Sequence, residues 1–234
     1  MTLSHLQCAV SKKPITELQE QFFSSRKDLC NADEFAILLT KDELELGCQR
    51  MADQLNKDFA GQEVTILGVL NGACWFVTDL SRLLNFPVTF HFVRASSYGK
   101  ALASSGVVQC DLSHLVPEDF VGKKVLIVDE LFDSGKTITV LKQAVTNTFS
   151  LNPQDVKSVT LMSTSKPTSE PPADYCYFRS FTNMWILGYG LDHRHYFRNY
   201  PHVLAFFNPA FDAQDLKQKY DDSRRRITEL ITFN

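Results

Sequence analysis

Val64–Leu70 reads VTILGVL, a continuous run of strand length with no polar alternation. A strand that is apolar on both sides has both faces covered, which is the habit of a parallel sheet and not of a half-wet antiparallel one. The pattern recurs. Val88–Val93 (VTFHFV), Val125–Val128, Val159–Met162, Trp185–Leu187 and Val203–Phe207 are further strand-length segments. Helical faces lie between them. Thr40-Lys41-Asp42-Glu43 has the spacing of a capping box, and Leu44, Cys48, Met51, Leu55 and Phe59 follow at helical intervals. Gly72–Leu84 reads as a helix with Ala73, Phe76, Leu80, Leu83 and Leu84 on one side. A third helix carries Ile138, Leu141 and Val145 and is broken at Asn152-Pro153. Alternating strands and helices predict an α/β fold, a mostly parallel sheet with helices on both faces. Ligands in such folds bind outside the carboxyl ends of the strands.

Composition narrows the function classes. The 234 residues hold 24 Lys+Arg against 27 Asp+Glu, a net charge of −3, which argues against bulk binding to nucleic acid or to an anionic membrane. No apolar stretch approaches the ~20 residues of a membrane helix, and the start MTLSHLQCAVSKKP lacks a secretory pattern. A cytoplasmic location is the expectation. Six scattered cysteines with no C-x-x-C pair indicate neither a zinc knuckle nor a disulfide framework.

Chemistry concentrates in Val125–Thr137, VLIVDELFDSGKT. An apolar strand runs into the adjacent carboxylates Asp129 and Glu130, then Asp133, and Ser134-Gly135-Lys136-Thr137 opens a helix. Backbone N–H groups at a helix start, a glycine permitting close approach and two hydroxyl side chains make a phosphate cradle. The Gly-Lys-Thr is not a P-loop, because the position that needs glycine is Glu130. Nor is Gly188-Tyr189-Gly190 a dinucleotide fingerprint, since its third glycine position is His193. Vicinal carboxylates ahead of a monophosphate cradle suit a ribose 5-phosphate, whose ring hydroxyls they can accept.

This segment resembles the phosphoribosyl-diphosphate signature of the type I phosphoribosyltransferases. From about Phe35 to Phe207 the chain is similar to the hypoxanthine-guanine (6-oxopurine) branch. The matching pieces are Leu70-Asn71-Gly72, Arg94 with Ser97-Tyr98, Lys166, and Trp185–Asp192 followed by Tyr196-Phe197-Arg198. The resemblance implies purine salvage: Mg²⁺-dependent transfer of ribose 5-phosphate from phosphoribosyl diphosphate to hypoxanthine or guanine, giving IMP or GMP and pyrophosphate. It also implies a small hood, a flexible lid loop and a homodimer or homotetramer. The rivals are a xanthine-using enzyme and a non-catalytic regulator on the same fold.

Residue by residue, the resemblance assigns Asp129 and Glu130 to the ribose hydroxyls and, with Asp192, to the metal. Asp133 becomes the proton acceptor beside purine N7, and Ser134, Gly135, Lys136 and Thr137 bind the 5-phosphate. Lys166 donates to O6, Trp185 stacks on the base, and the Ile186 backbone meets its edge. Arg198 contacts pyrophosphate, with Asn71 and Gly72 in the pyrophosphate loop. Relatives often carry Lys where Asn71 stands, so that positive charge is missing here. Ser97 and Tyr98 belong to a lid that excludes water from the ribosyl centre.

The expected organisation is an extension over residues 1–34, a phosphoribosyltransferase domain over 35–211 with its lid at about 95–115, and a helical tail over 212–234. Within that tail Arg224-Arg225-Arg226, beside Asp221 and Asp222, reads as a solvated face. His193-Arg194-His195 also reads as solvated, having no metal-ligand partner at a fitting spacing.

Overall fold

The computed structural model describes residues 35–97, 108–164, 168–181, 184–207 and 213–233. These fall into two compact units, one of residues 45–181 and one built from the two ends of the chain, up to Leu44 and from Thr182 onward.

The larger unit is a six-stranded sheet in the order β4-β3-β2-β5-β6-β7. Its strands are β2 (Val64–Leu70), β3 (Val88–Ser97), β4 (Val108–Cys110), β5 (Lys124–Phe132), β6 (Val156–Thr164) and β7 (Tyr175–Phe181). Every neighbouring pair is parallel except β3 with β4. The apolar runs predicted this arrangement, and β2 shows why they are continuous. Leu67 and Val69 pack in one cluster with Ile138 and Leu141 of α3 (Lys136–Phe149). Gly68, between them, faces Val77 of α2 (Cys74–Ser81), within 3.0 Å of where a β-carbon would stand. Alternate residues thus meet helices on opposite faces, and the one polar side chain of the strand, Thr65, is buried with its hydroxyl donating to the Asp119 carbonyl.

Two expectations change here. The helix expected over Gly72–Leu84 is confined to Cys74–Ser81, because Gly72 and Ala73 form the turn into it. It buries Phe76, Val77 and Leu80 but leaves Trp75 exposed. The lid expected over 95–115 begins and ends as structure: Ala95–Ser97 pairs with Val108–Cys110 in a hairpin stem. Leu112 and Leu115 are buried in the core. Tyr98 and the rest of that loop, 98–107, lie outside the described residues.

The smaller unit holds a three-stranded antiparallel sheet, β1-β9-β8, made of β1 (Phe35–Leu39), β9 (Val203–Phe206) and β8 (Trp185–Leu187). The last two were expected as strands, but they belong to this separate sheet. The capping box is present at the start of α1 (Lys41–Asp58): Thr40 N–H donates to Glu43 Oε2 at 2.8 Å and Glu43 N–H to Thr40 Oγ1 at 3.2 Å.

The tail is α4 (Ala213–Phe233), and one of its arginines overturns the solvated reading. Arg224 is 5% exposed and grips both carboxylate oxygens of Glu43, at 2.9 and 3.0 Å, while also donating to the Leu38 carbonyl. Tyr220 donates to the Ile37 carbonyl beside it. Arg225, next along the helix, is exposed and pairs with Asp222. No described helix is long and apolar enough to cross a membrane.

Candidate active site

The parallel strands of the larger unit end at one edge, and that edge carries the acidic segment. β5 does not stop at Val128. It continues through Asp129 and Glu130 to Phe132, whose register partner is Ser163 of β6. The two carboxylates are therefore held by a sheet and not by a loop. Asp129 is partly exposed and Glu130 buried. Burial pushes the Asp129 carboxyl well above its ordinary range. The Glu130 charge and a side-chain hydrogen bond to it add to the shift, and the Glu130 N–H, donated to Asp129 Oδ1 at 3.0 Å, opposes it.

After Phe132 the chain turns into α3. Gly135 sits at the helix start with φ +81°, a left-handed conformation that disfavours any side chain. A β-carbon there would also lie 2.5 Å from the Phe132 ring and 2.7 Å from Glu170 Cβ. No side chain caps this helix start, and the N–H groups of a first helical turn lack partners within the helix, which is what an anion site uses. Lys136 is exposed; Ser134 and Thr137 are half-buried.

Asp133 is anchored from β6. The Thr164 hydroxyl lies 3.1 Å from Asp133 Oδ1 and 3.3 Å from its carbonyl. Thr168 donates to the Ser134 carbonyl at 2.6 Å and receives the Glu170 N–H at 3.0 Å. Sequence reasoning passed over Thr164 and Thr168. Neither sits in a motif, and only the β5–β6 pairing brings them to the turn.

At the same edge Leu70 ends β2 opposite Arg94 of β3, which is exposed. The Leu70–Asn71 peptide is cis, Asn71 is exposed and Gly72 is buried. Ser97 closes β3. Lys166 lies outside the described residues.

In the smaller unit Trp185 is 55% exposed, while its strand neighbours Ile186 and Leu187 are buried. The Trp185 indole is thus offered to solvent from an otherwise buried strand and is not a core side chain. The chain then turns sharply through Gly188, Tyr189 and Gly190, all at positive φ. Arg198 meets Asp192 at 2.7 Å and donates to the Gly190 carbonyl at 2.6 Å; the other Asp192 oxygen accepts the His195 N–H at 2.9 Å. His193 is not solvated as expected. It is half-buried, its ring 5.2 Å from that of Phe206, whereas Arg194 and His195 are exposed.

The comparison with known families decides what this strand–turn–helix belongs to. Residues 36–194 match the phosphoribosyl transferase domain. The chain belongs to the phosphoribosyltransferase family. This phosphoribosyltransferase is 32% identical over 184 residues to the hypoxanthine-guanine phosphoribosyltransferase of Mycobacterium bovis, covering 75% of this chain and 88% of that one. The crystal structure of a hypoxanthine phosphoribosyltransferase from Staphylococcus aureus superposes with a TM-score of 0.66 at 25% identity, covering 76% of this chain and 94% of that one. A hypoxanthine-guanine phosphoribosyltransferase from Bacillus anthracis, with HEPES in its active site, gives 0.62 at 31% identity, covering 73% and 96%.

Proposed function

We propose that the protein is a magnesium-dependent 6-oxopurine phosphoribosyltransferase, joining ribose 5-phosphate from phosphoribosyl diphosphate to hypoxanthine or guanine and releasing pyrophosphate. The observation that carries the reading is the join between β5 and α3. A pair of sheet-held carboxylates stands immediately before a helix start whose glycine is left-handed and closely packed.

In the reaction the bond from ribosyl C1′ to pyrophosphate breaks, the bond to the purine nitrogen forms, and the purine loses a proton. The amides and hydroxyls of Ser134–Thr137 bind the 5-phosphate. Asp133, steadied by Thr164, accepts the proton near N7. Lys166 donates to O6, Trp185 stacks on the base above the Ile186 backbone, and Arg198 meets the pyrophosphate. Ser97 and Tyr98 exclude water while the ribosyl centre is electron-poor. Most of the rate enhancement then comes from positioning and charge stabilisation.

The donor set fits magnesium. It is all oxygen, and Asp129 already carries an excess negative field from Glu130 that a hard cation relieves. Asp129 would hold the ion together with substrate oxygens, and its charge would offset that of the departing pyrophosphate.

The exposed aromatic side chains Trp75, Phe90 and Phe92 support association of two copies across this face of the α2–β3 region.

The deciding assay supplies phosphoribosyl diphosphate, Mg²⁺ and one base at a time, and follows nucleotide formation. Product from hypoxanthine and guanine is expected. Product from xanthine alone would reassign the base, and donor binding without turnover would make the protein a regulator.

A further inference from the structure

Glu130 sits at the edge where ligands bind, yet it is only 8% exposed. Its surroundings explain why. A β-carbon built on Gly72 would overlap the Glu130 carboxyl group, whose carbon and two oxygens are the three nearest atoms to it. Gly72 does not have a left-handed φ, so its backbone would accept an L-residue; it is the Glu130 carboxylate that stands in the place of the side chain. The recorded β2–β5 pairing runs only from Val64↔Lys124 to Gly68↔Val128. Two residues farther along β5, Glu130 takes over from the backbone as the contact with the loop that follows β2.

We propose that Glu130 is a positioning residue: its buried carboxylate sets the Leu70–Gly72 loop, and through it the pyrophosphate half of the donor, while Asp129 meets the ribose hydroxyls. The proposal rests on the phosphoribosyltransferase reading above and departs from it in dividing the two carboxylates between two parts of the substrate. A carboxylate that is buried against a loop backbone is poorly placed to greet a ligand from solvent; Asp129, one residue earlier and on the other face of β5, is a partly exposed residue. Glycine at 72 and glutamate at 130 then form a matched pair: the loop comes close to β5 because one residue has no side chain and the other fills the gap. Displacement of a binding loop by about 1 Å is enough to lower activity by about 100-fold.

The test uses the full chain and three probes with Mg²⁺: phosphoribosyl diphosphate, pyrophosphate and ribose 5-phosphate. Glu130→Ala is expected to weaken pyrophosphate and donor binding about tenfold or more and to change ribose 5-phosphate binding less than about twofold. Asp129→Ala should weaken ribose 5-phosphate instead. A general loss of structure would not separate the probes in this way. Gly72→Ala is expected to lose pyrophosphate binding and thermal stability, and Gly72→Ala with Glu130→Ala to regain much of the stability, because the methyl group enters the vacated space. Gly72→Ala with Glu130→Gln should regain none, since Gln keeps the bulk. Should Gly72→Ala fail to fold, the double Ala variant must fold for the proposal to stand. Equal effects of Glu130→Ala on all three probes, or no recovery in the double Ala variant, would overturn it. Failure of the wild-type chain to bind the diphosphate donor would instead overturn the phosphoribosyltransferase reading.

Discussion

The Thr164 hydroxyl reaches both the carbonyl and the carboxylate of Asp133, so one side chain at the end of β6 ties the turn after β5 and orients its acid. A proton acceptor held in this way needs little reorganisation when the base arrives.

Asp133→Asn keeps the size and the Thr164 contact but cannot take a proton. We expect kcat to fall by roughly 10²–10⁴-fold with donor KM nearly unchanged, measured by steady-state kinetics with hypoxanthine. Thr164→Val should give a smaller loss in the same direction. Normal kcat in the Asn variant would reduce Asp133 to a turn residue.

Asp129 is a case of stability set against function. Its carboxyl is held above the ordinary 3.8 by burial and by Glu130. A carboxyl raised on folding favours the native state below its unfolded value, and that contribution is lost as pH rises through the folded value. With an acid at this position the ligand-free protein is therefore less stable at pH 7 than it would be with a neutral side chain there. Asp129→Asn should raise Tm at pH 7, raise it less near pH 4, and weaken donor binding. Thermal scans at the two pH values check this; a lower Tm at pH 7 would contradict it.

Asp192 and Arg198 are each about one-third exposed, so their ion pair contributes at most about 1 kcal/mol to folding. Arg198→Ala should leave Tm within about 4 °C of wild type while weakening pyrophosphate and donor binding, read by calorimetric titration. A large drop in Tm with unchanged affinity would make the pair structural.

Arg224 should behave in the opposite way. Removing it leaves the buried Glu43 charge without its guanidinium, a loss of about 3–5 kcal/mol. Arg225→Ala should cost under about 0.5 kcal/mol. Urea denaturation of the two variants makes the comparison, and equal midpoints would refute it.

Asp174 joins β7 to its neighbours. Burial would raise its carboxyl, but hydrogen bonds from Lys142 and from the Ser158 side chain and backbone, with the Lys142 charge, hold it at about 2. A carboxyl lowered on folding stabilises the native state above its unfolded value, and this is lost as pH falls from about 4 to about 2. Asp174→Ala should cost about 2 kcal/mol at pH 7 and progressively less in that acid range, by denaturant titration. A penalty independent of pH would count against the charge.

Sequence alone determined the elements whose cause is local. Val64–Leu70 could only be a strand buried on both faces, Thr40 and Glu43 had to start a helix together, and Gly135 before Lys136 marked a helix start fit for an anion. Each follows from side-chain periodicity or from hydrogen bonds within a few residues, which order along the chain preserves. Three consecutive arginines show what order along the chain leaves open. Arg224 is buried and Arg225 exposed because β1 and Glu43 meet one side of α4 and solvent the other. Likewise Thr164 became the anchor of Asp133, and Glu130 the wedge against Gly72, only when β6 and β2 were laid beside β5. Such contacts join residues tens of positions apart, and burial and charge pairing exist only once the chain has closed on itself.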